Sequence, residues 1–181
     1  MEIAGRMKTM STPGANSGAH RWYGLRVKSN CEQVASTVLR GKGFDPFVPS
    51  YKVRRRWSDR LREVERPLFP GYVFCRLDLA NRLPVLTSQG VVGIVGIGKS
   101  PAPIEDREME AIRAVVTSGL PAQPCPFIHR GDRVRIGYGP LRGVEGVVAS
   151  TEDRPQLVVS VGLLQRSVSV VLDPAWVRVV H

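Results

Sequence analysis

The sequence of 181 residues has few cysteines, no long apolar run and no cluster of histidines. Its three cysteines, Cys31, Cys75 and Cys125, lack the paired spacing of a zinc site or a disulfide framework, as is common in a reducing cytoplasm. No apolar stretch approaches the ~20 residues that a membrane helix needs, and no apolar block follows the first basic residues as in a secretory signal. We therefore expect a cytoplasmic protein with no membrane partner, metal or cofactor.

Catalytic patterns are also missing. His20, His129 and His181 lie in a polar leader, at a domain edge and at the last position, without a Ser or Asp in a matching arrangement. The carboxylates are dispersed, and no acid/base pair is indicated. The sequence predicts a binding protein without catalytic residues, and not an enzyme.

One segment does match a nucleotide-binding pattern. Gly93–Ser100 has the spacing G-x-x-x-x-G-K-S of a phosphate-binding loop. That loop requires a helix beginning at the Gly-Lys-Ser, but Pro101 and Pro103 fall in its first turns, where Pro103 would remove a helical donor. A P-loop NTPase is therefore the least favoured function.

The charge is strongly basic, since 26 Lys and Arg face 16 Asp and Glu, which gives a net charge of +10. This excess favours a polyanionic partner, nucleic acid before a membrane surface. Residues 52–66 have a local net charge of +4 and predict a hairpin with a basic tip at Arg54, Arg55, Arg56 and Arg60. Trp57 could stack on a base there; the alternative is a solvated charged loop.

By composition the chain divides into a leader, two domains and a linker. Residues 1–20 are rich in Gly, Ser and Thr and predict a disordered leader. The element order in 21–119 predicts an antiparallel sheet flanked by helices, and the prolines of 120–127 predict a stiff linker. Five short alternating segments in 128–181 predict a small SH3-like β-barrel. The predicted fold class is α+β.

Two helices are predicted in the first domain. The first has Asn30 as its N-cap with Gln33 as a capping-box partner, and it ends at Gly41 or Gly43. The second spans Glu105 to Ser118 and stops at Gly119. Their expected inward faces are Val34, Ala35, Val38 and Leu39 in the first helix, and Met109, Ile112, Val115 and Val116 in the second.

The stretch Pro67–Phe74 combines two prolines and a glycine with aromatic residues. Pro70 favours an extended Phe69, and Gly71 can adopt a backbone conformation closed to other residues. Residues 72–77 predict a strand with 73, 75 and 77 on one face and 72, 74 and 76 on the other. The aromatic side chains either dock on a partner or fill the core, where Phe is often buried.

This stretch, Phe69-Pro70-Gly71-Tyr72, resembles the signature of the NusG-type transcription elongation factors, whose N-terminal NGN domain has a Phe-Pro-Gly-Tyr turn before a central strand. Trp22-Tyr23 is similar to the opening of that domain, and Gly90–Gly96 is similar to its next strand. Gly131–Ile136 and Gly139–Gly146 resemble its C-terminal KOW module. The matches follow the family's order over nearly the whole chain from Trp22.

The resemblance implies a monomer that binds the clamp of bacterial RNA polymerase and promotes processive elongation. It implies polymerase contacts by Trp22, Phe69, Pro70, Gly71, Tyr72 and Phe74. It implies contacts with non-template or upstream DNA by Lys28, Arg54, Arg55, Arg56 and Arg60. In the KOW module, it implies contacts with a ribosomal protein or the Rho terminator by Gly139, Pro140, Gly143, Glu145 and Gly146.

Two departures from the housekeeping pattern resemble specialised antiterminators. Pro67-Leu68-Phe69 is similar to the RfaH type, and Leu163–Val168 is similar to the UpxY type of polysaccharide operons. Leu83-Pro84-Val85 stands where RfaH has a polar triplet that touches the polymerase gate loop, so that contact is not carried over. The many Val and Ile residues of the last domain favour the barrel over a helical hairpin. The alternative function is a ribosome- or RNA-associated KOW protein.

Overall fold

The computed structural model describes residues 20–57, 60–125, 127, 132–151, 154–173 and 176–179. Apart from His20, the predicted leader lies outside these residues. Within them the chain forms the following strands and α-helices in order: β1 Arg21–Val27, α1 Glu32–Gly41, β2 Asp45–Phe47, β3 Ser50–Trp57, β4 Arg60–Pro67, β5 Tyr72–Leu77, α2 Leu83–Leu86, β6 Val91–Ile94, β7 Gly96–Ile97, β8 Ser100–Pro101, α3 Asp106–Ser118, β9 Ala122–Cys125, β10 Asp132–Ile136, β11 Glu145–Thr151, β12 Arg154–Val161, β13 Arg166–Val171 and β14 Val177–Val179.

The N-terminal sheet is antiparallel and has the strand order β2-β5-β1-β6. Side chains alternate across it as predicted. One face packs on α1 through residues that include Leu25, Val73 and Leu39. The opposite face contributes Trp22 and Phe74 to a second, larger hydrophobic cluster. The predicted antiparallel sheet flanked by helices is therefore confirmed.

The two longer helices differ from prediction at their edges. Cys31, and not Asn30, is the N-cap of α1, because Asn30 has a φ of 58° and ends the preceding turn in the left-handed region. Val34 and Val116 were expected inside but are 45% and 37% exposed. They are exposed because an amphipathic helix buries only one stripe of its surface. The buried stripe includes Ala35 and Leu39 in α1, and Met109, Ile112 and Val115 in α3.

The C-terminal sheet is also antiparallel, with the order β14-β10-β11-β12-β13-β9. Its first five strands are the predicted ones, and they fit a KOW-like barrel-type domain. The sixth strand, β9, comes from the segment expected to be a linker, and it pairs with β13 so that Cys125 lies opposite Ser167. Pro124 is compatible with this pairing because β9 is at the edge of the sheet.

The two sheets share one hydrophobic cluster. Trp22, Phe69 and Phe74 from the first domain belong to the same cluster as Leu157 and Leu164 from the second. Helix α3 packs between them, against β12 on one side and β1 on the other. No helix within the described ranges is long and apolar enough to span a membrane.

Candidate functional site

The Phe-Pro-Gly-Tyr segment forms a type II β-turn. The Tyr72 N–H donates a hydrogen bond of 3.1 Å to the Phe69 carbonyl, and Gly71 has a φ of 83°. Proline at the second position and positive φ at the third position define this turn type. The prediction that Gly71 uses a conformation open mainly to glycine is therefore correct.

Hydrogen bonds with β1 and with α1 hold the turn in place. The Gly71 carbonyl accepts a hydrogen bond of 2.9 Å from the Val27 N–H at the end of β1. The Gly71 N–H donates a bond of 2.7 Å to Oε1 of Glu32 in the first turn of α1. Glu32 is buried, with 6% of its surface exposed. Sequence reasoning missed it, because the two partners are 39 residues apart and no local pattern links them.

The predicted polymerase contacts in and beside the turn divide into an accessible set and a buried set. Pro70 is exposed and Tyr72 is half-buried, whereas Phe69 and Phe74 are 1% and 0% exposed. The rings of Phe69 and Phe74 meet edge to face at 5.3 Å between centroids, an arrangement that aromatic pairs prefer. In this arrangement of the domains, Tyr72 and Pro70 are the surface of the turn, and the two phenylalanines form its support.

Trp22 is likewise buried, with 4% of its surface exposed. The guanidinium group of Arg113, on α3, lies 4.7 Å from the Trp22 ring centroid and 5.4 Å from that of Phe47. The Arg76 guanidinium is 5.9 Å from the Trp22 ring. The cation–π contacts of Arg113 attach α3 to the sheet face. Trp22 therefore supports the candidate site in this structure and is not part of its surface.

The barrel-type domain covers part of this sheet face through the short 3₁₀ turn Gly162–Leu164. A Cβ atom placed on Gly24, in the middle of β1, would lie only 3.1 Å from Cδ2 of Leu164. Ile104 and Val95 border the same spot, each 3.5 Å from that position. Gly24 thus leaves a depression in the sheet that Leu164 fills.

A second contact between the domains involves Glu108 of α3. Its Oε1 accepts a hydrogen bond of 3.0 Å from the Gly162 N–H. Burial raises the pKa of the Glu108 carboxyl, while the Gly162 hydrogen bond opposes this by favouring the charged form. Glu108 was not singled out from the sequence, and Leu164 was named only within the segment Leu163–Val168. Their contacts could not be predicted, because they depend on how the two domains meet.

The predicted basic hairpin exists as β3 and β4, paired in register from Ser50–Pro67 to Trp57–Arg60. The backbone of Arg54, Arg55, Arg56 and Arg60 is described, but their side chains lie outside the described part. Further from the tip of the hairpin, Lys52 and Glu63 form an exposed ion pair, with 3.6 Å between Nζ and Oε2. Lys28 is exposed directly after β1, where its N–H donates to the Gly90 carbonyl.

The predicted partner loops of the barrel carry glycines with structural roles. Gly139 has a φ of 80°, and a Cβ there would lie 2.8 Å from Cε2 of Trp176. A Cβ on Gly146 would lie 2.6 Å from the Val158 carbonyl oxygen. Pro140, Gly143 and Glu145 are exposed, so these three predicted contact residues lie on the surface of the barrel-type domain.

The segment that matches a phosphate-binding loop is a small hairpin. Gly96 pairs with Pro101 and Ile97 with Ser100, which leaves Gly98 and Lys99 as the turn. Helix α3 starts only at Asp106, so no helix follows the Gly-Lys-Ser as phosphate binding requires. In the described ranges, no group of three or more His, Cys, Asp or Glu is placed to hold a metal ion.

Comparisons with known proteins agree on one family. The family described as "Transcription termination factor nusG" matches residues 20–113. The chain is 30% identical over 177 positions to the transcription termination/antitermination protein NusG of Borreliella burgdorferi, covering 84% of this chain and 94% of that protein. It is 31% identical over 169 positions to the NusG of Pseudomonas aeruginosa, covering 86% of this chain and 96% of the relative.

A solved structure supports the same fold. The structure described as "Domain interaction in Thermotoga maritima NusG" is 24% identical and superposes with a TM-score of 0.55. The similarity covers 90% of this chain and 98% of that one. At this level of identity the match bears on the fold alone.

Proposed function

Because the chain belongs to the NusG family of transcription termination and antitermination factors, which act with RNA polymerase, we propose that it binds the clamp of bacterial RNA polymerase through its turn face. We define the turn face as Phe69, Pro70, Gly71, Tyr72 and Phe74. The observation that carries the proposal is the type II turn, which presents Tyr72 and Pro70 over the edge-to-face rings of Phe69 and Phe74. Rigid aromatic anchors of this kind dominate affinity at protein interfaces.

Binding through the whole turn face requires the barrel to move. Phe69 and Phe74 are fully buried while Leu164 is seated against Gly24, so a partner can engage only Tyr72 and Pro70 at first. We infer an equilibrium between this closed arrangement and an open one, in which polymerase binds the open state. The apparent affinity is then lower than the intrinsic affinity of the open state, in proportion to the fraction of molecules that are open.

The basic hairpin gives the proposed complex a contact with DNA. Lys28 and the arginines Arg54, Arg55, Arg56 and Arg60 would meet phosphates of the non-template or upstream DNA, with little sequence preference and strong dependence on salt. The exposed Pro140, Gly143 and Glu145 are the proposed contacts of the barrel with a ribosomal protein or Rho. The RfaH-like Pro67-Leu68-Phe69 and the UpxY-like Leu163–Val168 support a specialised cytoplasmic factor for particular operons.

The test is the affinity of the purified protein for bacterial core RNA polymerase, for the wild type and for Tyr72→Ala. Tyr72 is half-buried, so its loss disturbs the fold less than Phe69→Ala, where removing a buried Phe costs about 3–5 kcal/mol. We expect at least about a tenfold loss of affinity, as for an interface hot spot. Arg133→Ala, on the exposed surface of β10, is the control. Absence of binding by the wild type would favour the ribosome- or RNA-associated function instead.

A further inference from the structure

We propose that Glu32 is a positioning residue that selects the type II form of the turn and so sets the direction of its aromatic anchors. This inference rests on the proposed function, since it names the group that prepares the turn face for polymerase. Glu32 contacts the backbone of the turn. Its carboxylate accepts the Gly71 N–H at 2.7 Å.

The bonded N–H belongs to the peptide that distinguishes the two common turn types. Type I and type II turns with the same end residues differ in the orientation of the peptide between their second and third positions, here Pro70 and Gly71. Glycine at the third position can take either sign of φ at little cost. The sequence Pro70-Gly71 therefore permits both turns, and an acceptor on one side of the peptide decides between them.

Burying a carboxylate at this place is unfavourable, and packing alone does not explain why Glu32 is there. Glu32 is 6% exposed, and burying a charged group is unfavourable unless it is hydrogen-bonded. Two features of the site compensate: the charge-assisted bond to Gly71 and the position in the first turn of α1, where the helix favours negative charge. The same helix is anchored on the sheet by Leu39, which is fully buried, so Glu32 acts from a fixed support.

The type of turn determines the relative direction of two residues of the candidate site. Phe69 and Tyr72 are the first and last residues of the turn, joined by the bond from the Tyr72 N–H to the Phe69 carbonyl. Without the Glu32 acceptor, the central peptide populates both orientations, and the two anchors lose their single relative direction. A partner that needs that direction then binds only a fraction of the molecules.

The experiment compares three full-length variants with the wild type: Glu32→Ala, Glu32→Gln and Ala35→Gly. Glutamine keeps an acceptor oxygen at the same distance, whereas alanine removes it. Ala35→Gly weakens the same helix without touching the turn and controls for loss of stability. Two quantities are measured for each: the Kd for core RNA polymerase, and the chemical shift and exchange rate of the Gly71 amide proton by NMR.

We expect Glu32→Ala to shift the Gly71 amide resonance, to accelerate its exchange and to weaken polymerase binding about tenfold, which corresponds to about 1.4 kcal/mol. Glu32→Gln should keep most of the affinity, and Ala35→Gly should bind as the wild type does. Unchanged binding by Glu32→Ala, beside a wild type that binds, would overturn the inference and leave the proposed function standing. Equal weakening by Ala35→Gly would also overturn it, because the effect would then be one of stability. A wild type that does not bind polymerase overturns both.

Discussion

Leu164 is expected to control the equilibrium between the closed and open arrangements of the two domains. Its side chain is 6% exposed, and it occupies the depression left by Gly24, with Cδ2 3.1 Å from where a Cβ atom of that residue would be. We predict that Leu164→Ala shifts the equilibrium towards the open state. Gly24→Ala should act in the same direction from the other side of the contact, because its Cβ needs the space that Leu164 fills.

The size of the shift follows from the surface that the leucine buries. Leu→Ala removes three carbon atoms, and each buried CH₂ group is worth about 0.8 kcal/mol, so docking loses about 2.4 kcal/mol. No cavity penalty is added, since the two surfaces can separate and admit water, unlike a closed core. Because about 1.4 kcal/mol corresponds to a factor of ten, the docking constant should fall about 50-fold.

Two assays report this change. Small-angle X-ray scattering should show a larger radius of gyration for Leu164→Ala, and the Kd for RNA polymerase should decrease, since more molecules are open before binding. Arg166→Ala, an exposed change at the start of β13, should behave as the wild type. An unchanged radius of gyration for both Leu164→Ala and Gly24→Ala would refute the view that this contact holds the domains together.

Three further predictions concern single groups. Because burial raises the pKa of Glu108, the docked state binds its proton more tightly than the open state, so docking should weaken as the pH rises through the raised pKa. Glu108→Gln should remove that dependence in scattering measured from about pH 4 to 7; a persistent dependence would assign it to another group. Burial raises the pKa of Cys75 to about 12, so a thiol reagent at about pH 8 should label Cys31 well before Cys75 in the folded protein, as mass spectrometry can show. Equal labelling rates would contradict the buried position. Gly139→Ala should lower the free energy of unfolding by at least about 1–3 kcal/mol. The alanine would have to adopt a positive φ, and its Cβ atom would also clash with Trp176. Chemical denaturation measures this, with Gly41→Ala as the control at a site with open space and no positive φ; equal stability of the two variants would count against the role of Trp176.

Local sequence patterns predicted most of the individual elements. The alternation in residues 72–77 placed Val73 and Leu77 on one face and Tyr72 and Phe74 on the other, as observed. Proline and glycine at 70 and 71 predicted the turn. These features could be predicted because they depend on the steric and packing preferences of residues only a few positions apart in the sequence.

Features that depend on distant partners could not be predicted in this way. The Pro-rich segment 120–127 reads locally as a linker, but its residues Ala122–Cys125 form an edge strand because β13 offers a free side. Glu32 has no local sign of its role, since its partner lies 39 residues further along the chain. The burial of Phe69 depends on how the domains pack, and residue spacing left open whether it would be a surface anchor or a core residue.

Whether the turn face contacts the clamp can be tested by crosslinking, with a photoreactive amino acid at position 72 in a complex with core RNA polymerase. We predict a crosslink from this position to the polymerase clamp, and none when the same probe replaces Arg133. The crosslink should become stronger in the Leu164→Ala background, since more molecules are open. A probe at position 72 that reacts with no polymerase subunit, or only with a region far from the clamp, would contradict binding of the clamp through the turn face.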